Sequence, residues 1–215
     1  LPNLRALAAE FIATALLALA VVGSGFMASD LTQDLALTLL INALATAIGL
    51  AVAIKLAAGI SGAHLNPVVT LVMIFQKRIA PVQAFFYIVA QITGAIGGVL
   101  IANYIFGENL IQSATQLRSG SNLFIAEIIA TAGLLWIILA NLKNSSAIAS
   151  YVPLWIFGAI LFTSSTSFAN PAITISRSFT DSFTGIALES TPAFILAQLI
   201  GAGLGVALAR GFKNE

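Results

Sequence analysis

Two Asn-Pro pairs, Asn66-Pro67 and Asn170-Pro171, and two glutamates set in long apolar stretches, Glu10 and Glu127, are the residues of this chain with most chemistry to offer. Asparagine is a strong helix N-cap, and proline fits the first helical turn, where its missing N–H would have no partner anyway. Each pair therefore marks the start of a helix and carries a side-chain amide with donors to spare. An ionisable side chain inside an apolar span is costly and points to a role. Glu10 and Glu127 read as acceptors for backbone N–H groups of non-helical chain, or else as a proton relay. The single histidine, His64, reads as lining a passage through its carbonyl, its ring or both, with a pH gate as the alternative. One histidine and no cysteine leave no His-based triad, thiolate metal site or disulfide. The Ser and Thr residues of 163–167 have no base beside them, so no catalytic residue, metal or cofactor is expected.

The elements that position these residues follow from composition. The chain of 215 residues is 59% hydrophobic and only 8% charged, too little charge to cover a soluble domain. Six apolar segments, at 4–27, 34–58, 81–105, 122–141, 147–165 and 190–211, are long enough to cross a bilayer as helices. The fold class is thus an all-α membrane protein. The first segment lacks the pattern of a cleaved leader and reads as a retained helix. Two shorter segments, 66–76 and 170–180, begin at the Asn-Pro pairs and follow the polar stretches 58–64 and 163–167. At about 1.5 Å per residue they reach roughly halfway across a bilayer. Gly94, Gly97, Gly98, Gly201, Gly203 and Gly205 suit close helix packing, while Tyr104, Trp136 and Trp155 suit the membrane interface.

The chain also repeats itself. Ala9-Glu10-Phe11-Ile12-Ala13-Thr14-Ala15 returns as Ala126-Glu127-Ile128-Ile129-Ala130-Thr131-Ala132, and Ala90-Gln91-Ile92-Thr93-Gly94-Ala95 as Ala197-Gln198-Leu199-Ile200-Gly201-Ala202. The reading is one channel domain over 1–215, made of two repeats at about 1–106 and 121–215. Three spans per repeat is an odd number, so the repeats run inverted, which points to a site near the midplane between them. With both termini in the cytoplasm, Arg5, Lys55, Lys77, Arg78, Lys143, Arg210 and Lys213 lie inside and only Arg118 and Arg177 outside, as the positive-inside rule requires. Half-helices whose N-termini meet at the midplane repel cations, while Asn66 and Asn170 donate to a solute and carbonyls just before each Asn accept from it.

Ser61-Gly62-Ala63-His64-Leu65-Asn66-Pro67-Val68-Val69-Thr70 closely resembles the signature of the major intrinsic proteins, the aquaporin and aquaglyceroporin family. The second Asn-Pro motif, the paired glutamates and the Gln-x-x-Gly-Ala repeats extend the resemblance over essentially the whole chain. It implies a right-handed bundle of six helices and two half-helices turning at Pro67-Val68 and Pro171-Ala172. It also implies a homotetramer in the inner (plasma) membrane and passive permeation lined by Gly62, Ala63 and His64. Val68 stands where the family usually has alanine. The family's outer filter, counted from the motifs, falls on Thr46, Gly158, Ser167 and Ile173. Water-selective members have an aromatic, a histidine and, after the second motif, an arginine at three of these positions; here they are Thr, Gly and Ile. Such a filter is wide and less polar. Arg177, four residues after Ile173, reads either as a relocated filter arginine or as the i+4 partner of Asp181 at the outer mouth. The function expected is a passive channel for uncharged solutes (glycerol-like polyols, urea or neutral metalloid hydroxides such as arsenite, with water), excluding protons and ions. The partners expected are these solutes and the lipid bilayer, with no nucleic acid. A water-selective pore and an ion-coupled secondary transporter are the alternatives.

Overall fold

The computed structural model describes residues 2–212; Lys213, one of the basic residues counted above, lies outside the described residues. The helices are α1 (Leu4–Leu31), α2 (Leu35–Ser61), α3 (Pro67–Phe75), α4 (Pro81–Ile105), α5 (Ser121–Ala140), α6 (Ser145–Phe162), α7 (Pro171–Ser176) and α8 (Thr191–Gly211). Six of the described helices are long and apolar enough to cross a membrane. Their ends follow from capping: Asn3 accepts from the Ala6 N–H, Asp34 from those of Ala36 and Leu37, and Asn144 from that of Ala147. The second half-helix is shorter than its apolar segment. α7 stops at Ser176, a 3-10 turn covers Arg177–Phe179, and Thr180 is extended.

Packing is matched between the two halves of the chain. α1 lies against α2 and α4, α5 lies against α6 and α8, and α2 meets α6 across the middle. The glycines explain how closely the helices approach. A Cβ at Gly94 or Gly98 would collide with the backbone of Phe11 or Ala15 on α1; a Cβ at Gly201 or Gly205 would meet the carbonyls of Ile128 and Ala132 at 2.6 Å on α5. These are i, i+4 pairs on one face, the small-residue pattern of membrane helix contacts. Gly203 faces open space and Gly97 has only the Phe11 ring at 3.9 Å, so neither serves the contact. Trp155 also departs from expectation. Its ring lies over Gly133 and its Nε1–H donates to the Ala130 carbonyl at 2.9 Å, tying α6 to α5 instead of anchoring an interface.

Candidate functional site

The two polar stretches leave the helices by the same device. Gly62 (φ +88°) ends α2 in the left-handed region, and Ala63 and Leu65 (both φ +51°) continue in it; Thr166, Ser167 and Ala169 do so at φ +60°, +48° and +47°. Non-glycine residues adopt this conformation only when their surroundings impose it. The glutamates supply those surroundings. Glu10 Oε1 accepts from Ser61 Oγ at 2.5 Å and the His64 N–H at 3.0 Å, while Oε2 accepts from the Leu65 N–H at 2.8 Å and Gln91 Nε2 at 2.7 Å. Glu127 repeats the pattern, accepting from the N–H groups of Phe168 and Ala169 at 2.8 and 2.9 Å and from Gln198 Nε2 at 2.9 Å. Gln91 and Gln198 also donate to Thr70 and Thr174, each at 2.9 Å. Each glutamate is therefore an acceptor buried behind a loop, Glu10 with all four lone-pair sites engaged and Glu127 with three of its four.

Asn66 and Asn170 then join the loops. Asn66 Nδ2 donates to the Ala169 carbonyl at 2.8 Å, and Asn170 Nδ2 to the Leu65 carbonyl at 2.8 Å. Their Oδ1 atoms cap α3 and α7 by accepting from Val68 and Ala172, each at 3.0 Å. An amide has two N–H donors, so one on each asparagine remains for a solute. The carbonyls immediately before each asparagine, expected as solute acceptors, each accept one hydrogen bond from the opposite asparagine. Those of Ala63, His64, Thr166 and Ser167 have no donor among the described residues, and all four residues line the central cavity.

That cavity measures about 80 Å³. Leu65, Asn66, Phe168, Ala169 and Asn170 line its middle, with Thr46, Ser167 and Ile173 also in its wall. On the His64 side it opens into a wider space of about 280 Å³ reached by Gly62, Arg78 and Ser145. The turn residues Pro67, Val68, Pro171 and Ala172 are buried and stand outside the cavity lining. His64 Nδ1 lies 3.1 Å from Thr70 Oγ1, and Thr70 Oγ1 also contacts the Asn66 carbonyl at 3.2 Å. In the other half Thr174 donates to the Asn170 carbonyl at 2.9 Å. If Thr70 donates likewise, His64 carries its proton on Nδ1.

Gly158 is not in the wall. α6 turns Val152, Ile156 and Ile160 to the cavity at i, i+4 and i+8, and a residue midway between Ile156 and Ile160 is rotated about 200° away. Branched apolar groups thus stand where a bare glycine was expected, and this part of the wall is narrower. Two filter hydroxyls, Thr46 Oγ1 and Ser167 Oγ, are buried without a protein partner.

Arg177 lines the same cavity and is buried. Its backbone N–H bonds the Ile173 carbonyl, so it sits directly above Ile173. Its Nε donates to the Thr184 carbonyl, and its guanidinium lies 3.5 Å from the centre of the Phe168 ring. It does not pair with Asp181, which accepts from the N–H and Oγ1 of Thr115, each at 2.9 Å. α7 has ended by then, so residues 177 and 181 share no helical face. A second arginine, Arg118, stands 5.2 Å from the same ring and donates to the Gly185 carbonyl at 2.9 Å. Burial lowers its guanidinium to about 10, which leaves it charged at neutral pH. Sequence reasoning missed Phe168, Arg118 and the isoleucines of α6. It also missed Asn42, which lines the cavity one turn before Thr46; a polar residue at i−4 from a wall position is the signal that marks it.

Residues 1–168 match the family model described as major intrinsic protein. The chain is 41% identical to the aquaglyceroporin AqpS of Rhizobium meliloti (strain 1021) over 96% of its own length and 89% of the relative's. It is 32% identical to the probable aquaporin TIP-type RB7-18C of Nicotiana tabacum over 94% and 84%. The fold superimposes on the crystal structure of the aquaglyceroporin from Plasmodium falciparum with a TM-score of 0.72, at 20% identity, covering 97% of this chain and 95% of that one.

Proposed function

Because the chain belongs to the major intrinsic protein family of membrane channels, not enzymes, we propose that its pore passes uncharged solutes larger than water: glycerol-like polyols, urea or undissociated metalloid hydroxides. The channel class for small neutral solutes comes with the family and with the 41% relative; the choice among solutes rests on the filter. The carrying observation is the pair of unpartnered hydroxyls, Thr46 Oγ1 and Ser167 Oγ, at a filter whose other two positions are taken by Ile160 and Ile173. A polyol has hydroxyls along one edge and a carbon chain along the other, and this wall offers a partner to each. The spare N–H groups of Asn66 and Asn170 take the solute's oxygens, as do the free carbonyls of the loops its protons.

Charge is kept out by three features. The N-termini of α3 and α7 meet at the middle with their positive ends, Arg177 stands one turn beyond Ile173 as the relocated filter arginine, and among the described residues no carboxylate lines the lumen. In this reading Glu10 and Glu127 hold the loops, and the two halves are inverted repeats of one domain. The His64 end opens to the cytoplasm with both chain termini, the Arg177 end faces outward, and four protomers assemble in the plasma membrane. Stopped-flow light scattering on proteoliposomes tests the reading. Fast glycerol or arsenite entry, with low activation energy and no need for an ion gradient, is the expected result; gradient-dependent flux would overturn it.

The isoleucines of α6 favour one second reading, a water-selective pore. They take up space that a glycine would leave open. Water flux without glycerol, urea or arsenite flux in the same vesicles is its signature.

A further inference from the structure

We propose that Asn42 and Arg177 form a second selective ring, one helical turn beyond the filter, that admits solutes through a neutral hydroxyl. The proposal rests on the channel reading above. Both residues line the central cavity. Asn42 precedes Thr46 by four residues on α2, and Arg177 follows Ile173 by four, so each stands about 6 Å of helical rise beyond its filter neighbour.

The orientation of the Asn42 amide is fixed by its partners. Nδ2 donates to the Val21 carbonyl at 2.7 Å and to Ser24 Oγ at 2.9 Å, both on α1. Ser24 Oγ has already given its own proton to the Ala20 carbonyl at 2.6 Å, so both partners can only accept. Both Asn42 amide hydrogens are spent, and Oδ1 has no donor among the described residues. Asn42 therefore presents to the cavity an acceptor alone. Arg177 is the complement. Its Nε is spent on Thr184 and one guanidinium face is covered by Phe168, leaving the Nη groups as donors alone.

A ring of this kind discriminates by charge and by group. An anion satisfies Arg177 but meets a bare carbonyl oxygen at Asn42. A cation suits Asn42 and is repelled by Arg177. A hydroxyl accepts from one and donates to the other. Water passing in file brings neighbouring waters to satisfy its own hydrogen bonds. A polyol fills the lumen and has only the wall, so loss of Asn42 falls on the polyol.

The test compares glycerol and water permeability in proteoliposomes holding wild type, Asn42→Ala, Asn42→Leu or Ser24→Ala. The glycerol-to-water ratio should fall about fivefold in both Asn42 variants, the factor carried by one ordinary hydrogen bond. Asn42→Ala makes the result sharper, because it widens the mouth and yet should slow glycerol. Ser24→Ala loosens the α1–α2 tie but leaves Nδ2 bonded to the Val21 carbonyl, which keeps Oδ1 facing the cavity, and its ratio should match wild type. If one Asn42 variant does not fold, the other decides. A proportional loss of both solutes, a ratio that holds or rises, or the same fall in Ser24→Ala would overturn the ring. A wild type impermeable to glycerol would overturn the ring; one impermeable to urea and arsenite as well would also overturn the larger-solute reading beneath it.

Discussion

Asn66 and Asn170 brace the two halves of the chain reciprocally: each side-chain amide donates at 2.8 Å to the carbonyl just before the other. The brace fixes the spacing of α3 and α7 at the centre of the cavity. It also uses the same amide for structure and for solute, one hydrogen each. Substituting aspartate for Asn66 keeps the shape and replaces the donor with an oxygen facing the Ala169 carbonyl. Asn66→Asp should lower stability by about 2 kcal/mol, the range for a buried acceptor left unsatisfied. Thermal unfolding in detergent measures this, and an unchanged melting temperature would contradict the brace.

The glutamates are matched but unequal. Glu10 accepts four hydrogen bonds and Glu127 three, the extra one coming from Ser61. A glutamine in either place turns an NH₂ group toward backbone donors. Glu10→Gln and Glu127→Gln should both destabilise by about 3 kcal/mol or more, with Glu10→Gln the worse. Folded protein recovered from membranes and its melting temperature report the order. A relay glutamate would instead yield stable protein whose flux has lost its dependence on a proton gradient.

The helix contacts predict a pattern of tolerance along α4 and α8. Gly98→Ala and Gly205→Ala place a methyl against the backbone of the facing helix and should each cost about 1–3 kcal/mol. Gly203→Ala meets nothing within 4 Å; it should be neutral or slightly stabilising, because alanine loses less backbone entropy than glycine in a helix. Equal effects at the three positions, read by thermal unfolding, would rule out close packing as the reason for these glycines.

Much of this was legible because it rests on local rules. Asn-Pro announces a capped helix start, an apolar run announces a span, and a glutamate inside a span announces donors that need it. Failures came where a local rule was carried past the end of its element. The Arg177–Asp181 pair assumed a helix through residue 180, but α7 ends at Ser176. Gly158 was reached by counting back from Asn170 through 163–169, a stretch whose left-handed Thr166, Ser167 and Ala169 turn the chain in ways a count does not see. The way Asn42 turns its amide was invisible for another reason. Its orientation is set by Val21 and Ser24 on a different helix.

The wall of α6 decides how wide the pore is, and two substitutions separate the alternatives. Ile160 and Gly158 are two residues apart on one helix, so only one of them can face the lumen. Ile160→Ala removes branched carbons from the cavity wall and should raise glycerol permeability severalfold, with a smaller effect on water. Gly158→Ala adds a methyl that meets only the Phe162 ring, at 3.5 Å, and should leave both permeabilities near wild type. Adding Ile173→Arg to Ile160→Ala restores a bulky cationic donor at the family's arginine position and should cancel the gain for glycerol while water still passes. The reverse result, with Gly158→Ala blocking glycerol and Ile160→Ala silent, would mean that α6 turns its other face to the pore. The filter would then be the wide one that counting from the motifs describes.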